Sequence, residues 1–541
     1  MPVEKWTSLL EIFRIRCAGR PLLLSIAVLL LLLVLRRVRR STADAVWIRH
    51  ASRLTAVAGF LALAFYPAVA LWYASSPHFF DNAEPTMPAV GWLFHAGLPI
   101  YHSVGSASRY AHIYGPMVFI VQGAVLAAFG PSIEVSKAVG ATAGIASLAM
   151  VYPAVRGHAS AARAAVLTGF CALLLLLFRN YSFWTRPDPL QVLAESAALL
   201  FAVRGRGYTS VALAGLASGV MWNLKFTGPL YSLPVLALVH SRSGWRGTAL
   251  AIAAGAAVAV APFALLPNVS LMNYVSWVRL SAHTGLLLSL LRQNLEWALF
   301  LAVPLLLSYY AAARDARPHG PAWRNAMVTL FLAILCVVIA AAKPGAGPYH
   351  LMPFLPVITY MVAWQLSSVS AARPCAPVLA RIVVAFVATV FAIALAQQAQ
   401  FVTTIRAERS VMDVRDLEEF TATHAGVVQM GYGQTEALTL ARPVLVFSSG
   451  MYLLDQPAVG EHQLAGVEIP RATSDALAAC LVDYWLIPKG ERPFTGVNGY
   501  AAAFLRPLYP ADFRRVFEAT YTRVGVTRYY DVWQCQKRMG T

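Results

Sequence analysis

The sequence predicts an α-helical polytopic membrane protein, with about 11 to 13 membrane helices by the length rule, followed by a small C-terminal α/β soluble domain. Three observations predict it. The chain of 541 residues is 58% hydrophobic and only 13% charged, with a mean hydropathy of +0.59, whereas soluble domains carry about 25% charged residues. Apolar runs recur from residue 54 to about residue 400, separated by short basic turns. From Arg406 onward charges become frequent and the apolar runs shorten to helix or strand length.

The excess of 43 Lys and Arg over 25 Asp and Glu gives a net charge of +18. In a membrane protein this reads as cytoplasmic loops held by basic residues, so no nucleic-acid partner is expected. Four of the six cysteines, Cys17, Cys171, Cys336 and Cys375, lie in or beside apolar runs. Only Cys480 and Cys535 fall in the polar tail, where an oxidising compartment would allow a disulfide; spacing alone leaves their pairing open.

Taken in order, residues 1–53 form a basic N-terminal segment with a short membrane helix at 21–35, closed by RRVRR at 36–40. Arginine there replaces the small-residue cleavage site of a signal peptide. The main transmembrane domain, 54–400, opens with a span at 54–75 whose C-terminal end points outward, because the arginines precede it. Its first outer loop is 76–115. Turns carrying Arg204 and Arg206, Arg242 and Arg246, Arg314, Arg317 and Arg324, and Arg373 and Arg381 read as cytoplasmic. Between them lie spans near 188–203, 208–221, 226–240, 247–266, 289–311, 324–342, 350–369 and 377–398. Counting from these loops puts RPDP (186–189), the interval 267–288, KPGAGPYH (343–350) and everything after 400 on the outer face. One conflict remains: three apolar runs, 115–130, 133–155 and 161–178, stand where an even number of crossings is required. The basic turn RGHASAAR (156–163) favours the first as the one that does not cross. In the tail, 401–541, helices are expected at 414–424 and 434–441 and strands at 426–433 and 483–490.

The outer loop carries the first candidate residues. Asp81 and Glu84 follow a span directly, and Pro85 suits the first position of a helix, where free N–H groups would stabilise the Glu84 carboxylate. Met87, Val90, Gly91 and Phe94 form one apolar stripe on that helix, as in an amphipathic helix lying in the interface. Ordinary loop acids with a helix cap are the plainer reading. Further on, Asp188 and Glu195 are seven residues apart and share a helix face with Gln191. Arg186 can pair with Asp188 or meet a ligand. Lys225 interrupts two apolar runs and either snorkels or meets an anion. Lys343 and His350 flank a Gly/Pro turn, where they either anchor the interface or contact a lipid phosphate. Arg109, His112, Arg279 and Arg292 add positive charge to the same face. No GxSxG, HExxH, Walker or GxGxxG motif stands in a fitting context.

In order, the span and its acids, GWLFHAGLPIYH, YGPMVFIVQGAVLAAFGPS, WTRPDPL (184–190), NLKFTGP (223–229) and GPYHLMPFLP (347–356) resemble the GT-C class of polyprenyl-phosphate-sugar-dependent glycosyltransferases. That class includes the protein O-mannosyltransferases and the lipid A aminoarabinose transferases. The likeness covers roughly 50–400. It implies a GT-C-like fold and an inverting transfer of a sugar from a polyprenyl phosphate to a lipid, glycan or protein acceptor at the periplasmic face of a bacterial inner membrane, with membrane lipids as surroundings. Carried over by position, Asp81 or Glu84 is the general base. Asp188, with Asp81, would hold the acceptor or a divalent cation, Mg or Mn, and Lys225 and His350 would neutralise the donor phosphate. The chain departs from the aminoarabinose transferases at Tyr114-Gly115-Pro116, where they have a lysine before the prolines. The alternative class is a transporter or flippase for a lipid-linked or anionic solute, with Arg186, Glu195 and Lys225 lining its path; repeated halves would mark it, and none is visible.

Overall fold

A computed structural model of the protein describes residues 45–311, 320–367, 376–409, 413–498 and 506–538. The expected helix at 21–35 and the arginines at 314, 317 and 373 lie outside them. The membrane part is a bundle of α1 (Ala45–Ala74), α2 (Thr86–His95), α3 (Pro116–Phe129), α4 (Ile133–Val155), α5 (Ala161–Leu176), α6 (Asp188–Arg204), α7 (Gly207–Leu224), α8 (Gly228–Leu265), α9 (Leu271–Ser281), α10 (Leu288–Ala311), α11 (Pro321–Ala340), α12 (Leu355–Leu366) and α13 (Ala376–Arg409). Among the described residues, six helical stretches are long and apolar enough to cross a membrane: Ser52–Ala74, Ile133–Val155, Gly228–Leu265, Leu288–Tyr309, Pro321–Ala340 and Ile382–Ala407.

Hydrogen bonds between distant segments fix the two faces. On the upper face the end of α1 meets the start of α4, because the Lys137 ammonium donates to the Ser76 and His78 carbonyls at 2.7 Å each. The Gln398 amide of α13 donates to the Leu176 carbonyl at the end of α5 at 2.8 Å. On the lower face Arg242 donates to Ala202 and Gly205 at the turn after α6, and His158 lies 3.1 Å from the Tyr360 hydroxyl of α12. Of the basic turns, those at 156–163, 204–206 and 242–246 meet there. The two expected spans at 226–240 and 247–266 are the two arms of α8, which folds back at Gly244, a residue at φ 63°.

The crossing conflict resolves at α3. Its 14 residues rise about 21 Å, short of a bilayer core of about 30 Å. Both its ends lie on the upper face: Gly115 donates to the Leu224 carbonyl at 3.0 Å, and Ile133, just past its other end, belongs to the C-terminal domain's core. The expected interfacial helix is corrected here. α2 buries Thr86 through Gly91 and Leu93, because it is enclosed between α3 and the C-terminal domain. Gly91 and Gly123 bring the two backbones together; a Cβ on Gly123 would stand 2.4 Å from the Gly91 carbonyl.

A tighter contact sits at Gly140 of α4, where a Cβ would fall 1.8 Å from the Trp184 carbonyl. Neither helix nor carbonyl is a flexible side chain that can swing aside. Gly140→Ala is therefore expected to cost at least the 1 to 3 kcal/mol of ordinary overpacking, read as a lower melting temperature of the detergent-solubilised protein. An unchanged melting curve would remove this contact from the packing account.

The C-terminal domain contains α14 (Arg415–Thr423), β1 (Val428–Met430), α15 (Pro443–Ser449), α16 (Gln456–Leu464), α17 (Arg471–Ala478), β2 (Tyr484–Pro488), α18 (Ala511–Thr520), β3 (Tyr521–Val526) and β4 (Tyr530–Cys535). Its sheet has the order β1-β2-β4-β3, with β1 parallel to β2 and the other pairs antiparallel. The helix expected at 434–441 is only a 3₁₀ turn, Ala437–Thr439, before α15; Pro443 at the start of α15 sets where the helix begins. Cys480 and Cys535 are joined in a disulfide between the end of α17 and the end of β4.

Candidate active site

The site is built where the loop after α1, the segment before α6, the turn between α7 and α8 and the turn before α12 converge on the upper face. Asp81 caps its own loop, its carboxylate accepting the Ala83 N–H at 3.0 Å. Its side chain keeps 27% of its surface exposed. Arg186 donates to it at 3.1 Å and also to the Tyr349 hydroxyl at 2.9 Å. The guanidinium lies 4.2 Å from the Trp184 ring centroid, with Tyr349 and Tyr114 at 5.3 and 5.7 Å. Three ring faces thus immobilise one cation.

Asp188 opens α6, where the helix N-terminus favours a carboxylate. It accepts from Lys225 at 2.6 Å and from the Trp184 indole N–H at 3.2 Å. The pairing left open by the sequence is settled in favour of Arg186 with Asp81 and Lys225 with Asp188. Burial pushes the Lys225 ammonium down to about 8, against the pull of Asp188. Its Nζ lies 5.6 and 5.5 Å from the Tyr114 and Tyr349 ring centroids. His350 is buried behind Tyr349, with Nδ1 unpartnered. Lys343 stands nearby over the Phe226 ring at 5.7 Å, and burial lowers its pKa while Glu461 partly restores it. Glu195 and Gln191 are fully buried on the inner face of α6, their polar side-chain atoms without hydrogen-bond partners.

Glu84 behaves differently from its expected place at a helix terminus. It is fully buried, and its carboxylate turns away from α2, accepting from Tyr73, Phe80, Asp81 and Thr185. Arg109, expected to add positive charge to the outer face, is likewise buried, donating to the Val104 and Ser106 carbonyls. Arg292 pairs with Glu296 on the exposed side of α10.

The two acids expected at a divalent cation do not fit one. Asp81 and Asp188 each face a separate basic side chain, and among the described residues no three His, Cys, Asp or Glu side chains gather as metal ligands.

A second buried cluster binds the outer loop to the C-terminal domain. Asp455, with no exposed surface, accepts from His112 at 2.9 Å, Thr86 at 2.9 Å and Arg442 at 2.7 Å, as well as from Tyr452. Arg442 also donates to the Asn82 carbonyl at 2.6 Å, next to Asp81. Burial opposes charge on His112, but Glu461 and Asp455 on either side raise it to about 9. The sequence singled out only His112 of this set. Its partners are 343 or more positions away, and no local spacing joins them.

No protein-family model and no curated protein sequence matches the chain. Its fold is shared with the crystal structure of ArnT from Cupriavidus metallidurans bound to undecaprenyl phosphate, at a TM-score of 0.56 and 14% identity. The apo state of the same protein gives 0.53 and 12%. Each likeness covers 88% of this chain and 97% of the other, so at least part of the C-terminal domain shares in it. The chain is an α-helical polytopic membrane protein with the fold of that ArnT structure, in line with the fold its sequence blocks imply.

Proposed function

We propose that the protein is a membrane glycosyltransferase that moves a sugar from a polyprenyl-phosphate donor to a lipid, glycan or protein acceptor at the periplasmic face of a bacterial inner membrane. The observation that carries this reading is the convergence of one partly exposed carboxylate, Asp81, with the cations Arg186, Lys225 and Lys343 and the imidazole of His350, in the fold of a protein crystallised with undecaprenyl phosphate.

Asp81 takes the proton of an acceptor hydroxyl or amine. The acceptor atom then bonds to the anomeric carbon, on the face opposite the departing phosphate, so the configuration inverts. The bond from that carbon to the phosphate oxygen breaks, and the oxygen keeps the electron pair. Lys225, His350 and Lys343 face the charge that develops there and stabilise it in a site shielded from bulk water. Arg186, held by three rings, keeps Asp81 turned toward the acceptor. Tyr114 and Tyr349 wall the space between the two pairs. Asp81 and Asp188 are engaged by Arg186 and Lys225, and the step draws on these side chains.

The test is binding and then transfer. Purified protein in nanodiscs should bind undecaprenyl phosphate, measured by native mass spectrometry, and should transfer sugar from at least one of a panel of undecaprenyl-phosphate sugars. Absence of both would sink the reading. Lys225 adds a pH signature. Its ammonium is charged below about 8 and neutral above, so affinity for undecaprenyl phosphate should fall as pH rises from 7 to 9.5. Lys225→Arg, whose guanidinium stays charged, should flatten that fall.

A further inference from the structure

Glu84 is not needed as a base if Asp81 is one, yet it is the most heavily engaged carboxylate of the outer loop. Its Oε1 accepts from the Tyr73 hydroxyl at 2.7 Å, from the Phe80 and Asp81 N–H groups at 3.2 Å each and from the Asn180 amide at 3.4 Å. Its Oε2 accepts from Tyr73 at 2.9 Å and from the Thr185 N–H at 3.2 Å. The Thr185 hydroxyl donates to the Glu84 carbonyl at 3.0 Å. The side chain therefore joins two backbone segments more than a hundred positions apart in sequence, one ending in Asp81 and the other leading into Arg186.

Burial and the neighbouring Asp81 raise the pKa of Glu84, and Tyr73, Lys137 and the Thr185 N–H oppose that rise. Lys137 of α4, fully buried, places its ammonium 3.6 Å from the centroid of the Tyr73 ring, whose hydroxyl reaches Glu84. The same ammonium donates to the Ser76 and His78 carbonyls, so positive charge and loop backbone are tied together just before Glu84. No solvent reaches the carboxylate, and each of its oxygens already accepts more than one bond. A substrate proton has no access to it, while every backbone N–H it accepts belongs to Asp81 itself or to a residue next to Asp81 or Arg186.

We propose that Glu84 is a positioning residue for the transfer reaction: it clasps the Asp81 loop to the Thr185–Arg186 segment and so sets the geometry at which Asp81 meets the acceptor. This rests on the reading of Asp81 as the base. A displacement of about 1 Å at a reacting group is enough to lose on the order of 10²-fold in rate, so the clasp acts on kcat and leaves the donor phosphate's partners in place.

The experiment compares Glu84→Gln, Glu84→Asp and Asp81→Asn in the full-length protein in nanodiscs, using an undecaprenyl-phosphate sugar that the wild type turns over. Glu84→Gln should lower kcat by about 10- to 100-fold with the donor KM within about twofold, and Glu84→Asp, which keeps the acceptor oxygens, should recover part of the loss. Hydrogen exchange should rise in peptides covering 79–86 and 183–187 in Glu84→Gln but not in Asp81→Asn. If Glu84→Gln fails to fold, Tyr73→Phe, which removes a single donor, should reproduce the kcat loss in smaller measure. Unchanged kcat in Glu84→Gln, or in Tyr73→Phe where that variant stands in, overturns the proposal. Loss of transfer in Glu84→Gln with retention in Asp81→Asn also overturns it, and makes Glu84 the base. Failure of the wild type to turn over any donor overturns the glycosyltransferase reading itself, and this assignment with it.

Discussion

Asp81→Asn is expected to lower kcat for sugar transfer by roughly 10²- to 10⁴-fold, the usual contribution of a positioned general base, with undecaprenyl phosphate still bound. The reason is that asparagine can keep the geometry and lose only the chemistry. Its amide oxygen can still accept from the Arg186 guanidinium and from the Ala83 N–H, as the carboxylate does at 3.1 and 3.0 Å. What it cannot do is take a proton. Arg186 also remains held by Tyr349 and by the Trp184 ring, so loss of its ionic partner does not release it. Steady-state turnover and native mass spectrometry on the same preparation separate the two effects. Near-normal turnover would remove Asp81 from the chemistry, whereas loss of lipid binding would mean that the substitution had disturbed the cation cluster.

Asp455→Ala is expected to have the largest effect on stability. Removing one member of a buried charge group typically costs about 3 to 5 kcal/mol, because its partners stay buried without compensation. Here both Arg442 and His112 are left, with 1% and 0% of their side chains exposed. The expected result is a clear drop in melting temperature and faster proteolysis. The pH dependence follows from His112. Its pKa is raised to about 9 in the folded state, above the roughly 6.5 of a free imidazole. The stabilisation is therefore fully present below about 6.5 and disappears as pH rises through about 9. The wild type should lose melting temperature over that interval, and His112→Gln should lose little more there. A flat wild-type profile would mean that the imidazole is not charged in the fold.

Much of this architecture was legible because membrane helices are written locally. Apolar runs bounded by Arg204, Arg206, Arg242 and Arg246 match helices α6, α7 and the two arms of α8, and the break at Gly244 was visible as a basic turn. α3 was harder, since its composition is that of a span and only its length and the positions of its ends say otherwise. α2 was misjudged for a related reason: its apolar stripe is real, but the polar side that would face water in isolation faces the C-terminal domain. The site was half legible. Asp81, Arg186, Asp188 and Lys225 were all singled out, yet their pairing was not, because each partner comes from another part of the chain. Asp455 and Arg442 carried no signal at all, being ordinary polar residues in a tail without a recognisable motif.

The contact between Thr86 and Asp455 spans 369 positions, and it has a consequence for how the protein is made. A ribosome completes the loop bearing Asp81 long before it reaches Asp455, and chains are built and folded from the N-terminal end. During that interval α2 lacks one of the two surfaces that bury it, and α3 is too short to be held by the bilayer alone. The outer loop therefore stays unfinished until the segment bearing Arg442 and Asp455 has been made and has folded against it. A chain truncated before Asp455 would keep helices α1 to α13 and leave Thr86, His112 and the Asn82 carbonyl without the partners that hold the Asp81 loop.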